Sequence, residues 1–134
     1  MWPFDQKKEQ TYQDYAQAYD TRDYGNIDRD EAQDHVQQFV QNAPVDVQRR
    51  VFEQHFAQMP WGQRAELAQQ LPMEYGTNPD DPASMALAMA RLSQEQPDVL
   101  QRLLNHPVLL AGTIGLAALI GKHMHQHREA YRAY

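Results

Sequence analysis

The chain has no cysteine among its 134 residues. That removes disulfide frameworks, thiol nucleophiles and thiolate metal sites together, and leaves the redox compartment open. It also has no run of Lys and Arg longer than two, and its formal net charge is −6. The basic footprint that phosphate binding requires is missing, so nucleic acid is not an expected partner. There is no glycine-rich phosphate loop and no G-x-S-x-G elbow. Neither an internal repeat nor an apolar/polar alternation of strand type can be found. The start, "MWPFDQKKEQ", carries no apolar stretch behind its basic residues, which predicts synthesis into the cytoplasm rather than secretion. Acidic side chains are abundant, but their spacing is that of a solvated helix surface, not of a poised acid and base. A catalytic role is therefore not expected.

What the chain does have is glutamine, eighteen times, which reconciles a hydrophobic content of 42% with a mean hydropathy of −0.79. Glutamine suits the solvent-facing side of helices. Prolines at 44, 60, 72, 79, 82, 97 and 107 mostly open or close segments with helical periodicity. The spacing predicts a first helix over about 9–19 with Tyr12, Tyr15 and Tyr19 on one stripe. A second begins at Asp28, where "DRDE" has the form of a capping box with Glu31, and buries Ala32, Val36, Phe39 and Val40. Pro44 opens a third, with Val47, Val51, Phe52, Phe56 and Met59 inward. Pro60 opens a fourth, with Trp61, Leu67, Ala68 and Leu71 as its buried candidates. Asp81 and Pro82 start a fifth around Met85, Met89 and Leu92, and Pro97 a sixth. The expectation is an all-α fold, a small bundle of five to seven short amphipathic helices with a hydrophobic C-terminal helix. Its parts read as a tyrosine-striped N-terminal segment (1–24), an amphipathic body (25–96) and a hydrophobic helix with a basic, His-rich tail (97–134).

That last part holds the longest stretch without a charged side chain, residues 107–121. Pro107 breaks or kinks the preceding helix, and from Val108 the pattern allows one helix to the terminus. As a helix, 107–121 covers only about 22 Å, whereas a bilayer core is about 30 Å thick and takes roughly 20 apolar residues. Its basic flank of Lys122, Arg128 and Arg132 would keep the tail in the cytoplasm and place the body outside. Peripheral contact with a membrane surface avoids that conflict. Winding the run at about 100° per residue gathers the small residues Ala111, Gly115 and Ala118 on one side. Leu116, Leu119 and Ile120 gather on another. A small-residue stripe lets a neighbouring backbone come close. Three surroundings fit it: helices of the same chain, a second copy or another subunit, and lipid.

His123 and His127, four apart, would share one helix face as two ligands of a metal, needing a third from elsewhere. Otherwise they form a solvated tail that becomes cationic below about pH 6.5. Residues 20–31, "DTRDYGNIDRDE", resemble the twelve-residue loop of the EF-hand family. Asp20 stands at its first position, Gly25 at the sixth, Ile27 at the eighth, Asp28 at the ninth and Glu31 at the twelfth. The resemblance implies calcium binding. However, Arg22 and Tyr24 stand where the family places oxygen ligands, and a turn into a capped helix accounts for the same residues.

The functional expectation is a non-catalytic structural or adaptor protein. It would self-associate as a homo-oligomer, or join a larger complex, through the C-terminal helix at Ala111, Gly115, Leu116, Ala118, Leu119 and Ile120, with membrane contact open. A single-span, C-terminally anchored protein is the first alternative. A metal-binding module at His123 and His127 is the second; no other cofactor is expected.

Overall fold

The computed structural model describes residues 9–25 and 27–126. It is all-helical, with no strand among the described residues. In chain order the helices are α1 (Glu9–Thr21), α2 (Arg29–Asn42), α3 (Val45–Gln58), α4 (Trp61–Gln70), α5 (Pro82–Glu95), α6 (Pro97–Leu104), α7 (Pro107–Ala111) and α8 (Thr113–Gln126). A 3₁₀ turn at Met73–Tyr75 lies between α4 and α5.

Helix starts follow from local chemistry. Asp28 Oδ1 accepts a hydrogen bond from the Asp30 amide at 2.8 Å, and Asp81 Oδ1 accepts one from the Ala83 amide at 3.1 Å. Each satisfies one of the free donors in a first turn. Pro82 and Pro97 occupy the first helical position, where the missing N–H costs nothing. Pro44 and Pro60 precede α3 and α4, and their carbonyls accept the first helical bonds, from Gln48 and Arg64. The carboxylate of Asp28 caps α2 through the second helical residue, Asp30, not through Glu31 as a capping box would.

The chain forms two compact units. Among the described residues, one combines 9–25, 27–43 and 112–126; the other is 44–111. In the first unit, α1 and α2 both pack on α8, and the tyrosine stripe faces inward: Tyr12, Tyr15 and Tyr19 are all buried. In the second, α3 packs on α5, α6 on α5, and α7 on α4 and α6. Phe52 and Phe56, one turn apart on α3, stack with ring centroids 5.7 Å apart. Met85, Met89 and Leu92 of α5 are fully buried.

The apolar run does not form one helix. It divides at Gly112 into the single turn of α7 and the fourteen-residue α8, and the Gly112 carbonyl accepts the first bond of α8, from the Leu116 amide at 2.9 Å. No helix among the described residues is long and apolar enough to cross a membrane. Trp61 departs from the periodicity as well: it sits in the first turn of α4 with 54% of its surface exposed, while Leu67 and Leu71 are buried.

A close contact between α8 and α1 falls at Gly121. A Cβ added there would collide with Tyr15 Cβ and lie 2.8 Å from Tyr15 Cδ2. Because Tyr15 Cβ is fixed to the α1 backbone, it cannot swing aside. Alanine favours an isolated helix over glycine by about 1 kcal/mol, whereas overpacking costs about 1–3 kcal/mol. Gly121→Ala is expected to lower stability in urea unfolding by about 1–2 kcal/mol; a gain would contradict the contact.

In α3, the Nε2 atom of His55 is buried and has no hydrogen-bond partner among the described residues. The ring lies against Phe56, centroids 5.9 Å apart. Burial pushes its pKa down to about 4. The unfolded chain takes up this proton from about pH 6.5, the folded chain only near pH 4. The neutral ring's contribution is therefore complete above pH 6.5 and disappears as the pH falls through that window, an effect of about 3 kcal/mol. Urea midpoints measured from pH 7 to 4 should fall more steeply for the wild type than for His55→Leu; parallel curves would refute the assignment.

Candidate functional site

The structure places most of the expected C-terminal interaction residues inside the chain. Leu116, Ala118, Leu119 and Ile120 are all buried, as are Ala117 and Gly121 between and beside them. Six consecutive buried positions wind past a full helical turn, so this part of α8 is covered on every side. Gly115 differs. It is half-buried, next to half-buried Ile114, and a Cβ added to it meets nothing within 4 Å. Ala111 closes α7, and its side chain lies outside those described. The residue that admits a neighbouring backbone within the chain is Gly121, which the small-residue stripe did not include. Its signal in the sequence was a glycine at the far end of the apolar run, opposite a tyrosine stripe about a hundred residues away.

His127 lies outside the described residues, as do Arg128 and Arg132. The expected pairing of His123 and His127 is thus not placed, and His123 is half-buried near the end of α8. Among the described residues no three His, Asp or Glu side chains are grouped to hold a metal ion. The EF-hand-like segment is occupied by other work. Asp20 pairs with Lys122 of α8 at 2.5 Å, Asp28 caps α2, and Asp23 Oδ1 accepts from the Gly25 amide at 3.2 Å. Arg22, at φ 61°, adopts the left-handed conformation just beyond α1 that glycine usually supplies. Its guanidinium lies 4.7 Å from the centre of the Tyr19 ring, and the Lys122 ammonium lies 5.0 Å from the same ring. These contacts close the end of α1.

Beside that end lies a cleft of about 420 Å³ in the first unit, whose lining includes Asp14, Asp23, Asp28 and Glu31 and, among the described residues, no lysine or arginine. Tyr15 borders it. Its hydroxyl meets Nδ1 of His35 at 2.7 Å, and the two rings meet edge-on with centroids 5.3 Å apart. Burial first, then the charges of Glu31 and Asp28, push the Tyr15 phenol well above its ordinary range. It therefore stays protonated, and its hydroxyl donates to a bare Nδ1 of His35 or accepts from a protonated one, according to the ring's tautomer. Four carboxylates spread around a cleft suit a cationic group better than an anion.

The second unit carries the exposed large apolar side chains Met73 (95%), Trp61 (54%) and Leu87 (45%). The Trp61 indole N–H donates to Asp80 Oδ1 at 2.5 Å, which fixes the ring's edge. Arg91 lies 4.2 Å over the Tyr75 ring and donates to Glu95 at 3.2 Å. The Tyr75 hydroxyl donates to the same carboxylate at 3.1 Å. These bonds, Arg91's first, hold the Glu95 carboxyl below its ordinary range.

No family, no curated protein and no solved structure matches the chain.

Tyr15→Phe keeps the ring against Gly121 and removes only the hydrogen bond to His35. The expected cost is about 1 kcal/mol in chemical denaturation at neutral pH. An unchanged midpoint would show that the bond contributes nothing to the first unit.

Proposed function

We propose that the protein is a non-catalytic structural or adaptor protein that self-associates through the open side of α8 at Gly115. The observation that carries this reading is a helical glycine that no contact among the described residues explains. Glycine in a helix costs about 0.5–1 kcal/mol relative to alanine, less in a first turn, where Gly115 stands. Gly121 repays that cost by admitting Tyr15. Gly115 has no such contact among the described residues, none of which lies within 4 Å of where its Cβ would be. Nor is it among the glycines of positive φ. A backbone arriving from a second copy, as in small-residue helix pairs, supplies the missing reason. Half-buried Ile114 beside it would gain burial from the same contact. Because Leu116, Ala118, Leu119 and Ile120 are engaged in the chain's own core, the proposed contact is narrower than the expected stripe.

The two glycines make the test selective. Gly115→Leu places its side chain in open space, so the fold should survive with an unchanged unfolding midpoint. Light scattering should then give a mass of two or more chains for the wild type and of one chain for Gly115→Leu at equal concentration. Equal masses for the two proteins, or a monomeric wild type, would overturn self-association at this face.

A further inference from the structure

We draw no further inference here: the strongest candidate, the acidic cleft between α1 and the start of α2 in the first unit, is a cluster of carboxylates with no second observation that points to a ligand.

Discussion

Tyr15 ties three helices together. Its ring lies on the α8 backbone at Gly121, and its hydroxyl reaches His35 of α2 at 2.7 Å. A tyrosine offers a large apolar face and a polar tip that must be satisfied when buried, and here each end of the side chain engages a different helix. The approach of α1 to α8 is set by the absence of a side chain at Gly121, because any Cβ there would collide with Tyr15 Cβ. Tyr12 and Tyr19 are buried on the same stripe of α1. Lys122, the next residue of α8, then closes the contact with an ion pair to Asp20 and a cation over Tyr19.

This contact decides what becomes of the apolar run. Read as one helix, residues 107–121 left lipid, a second copy and the same chain all open as surroundings, lipid with the poorest match in length. The break at Gly112 assigns α7 and α8 to different compact units, and α8 is taken up by α1 and α2. The unit is therefore assembled from the two ends of the chain, with Lys122 and Asp20 separated by 102 residues. Closing so long a loop costs only slightly more than closing a shorter one, since the entropy grows logarithmically. Its effect falls on rate, because contacts so distant in sequence form late.

Much of the fold was legible because its signals are local. Prolines mark helix starts since the first turn has no use for their missing N–H. The inward faces of α2, α3 and α5 show in the helical spacing of Phe39, Phe52, Phe56, Met85 and Met89, all buried as expected. Trp61 was not legible: at a helix's first residue, periodicity has nothing before it to set the phase, and the indole is held outward by Asp80, nineteen positions away. The same limit hid the candidate sites. A glycine's role depends on what stands opposite, so Gly115 and Gly121, both on one apolar run, could not be told apart without α1. The acidic cleft, likewise, is contributed by α1, the following turn and α2, and no spacing along the chain displays it. Within the EF-hand-like segment, Asp28 caps α2, Asp23 closes a turn on Gly25 and Asp20 pairs with Lys122, roles that depend on neighbours the spacing alone does not display.

The part of the apolar run that lies in α8 is packed by the chain's own α1 through Tyr15 and Gly121. Proton–proton nuclear Overhauser spectroscopy on the full chain, without lipid or detergent, tests it most directly. Cross-peaks are expected between the Tyr15 ring and the Gly121 α protons. Assigned resonances for both residues with no cross-peak between them would contradict that packing.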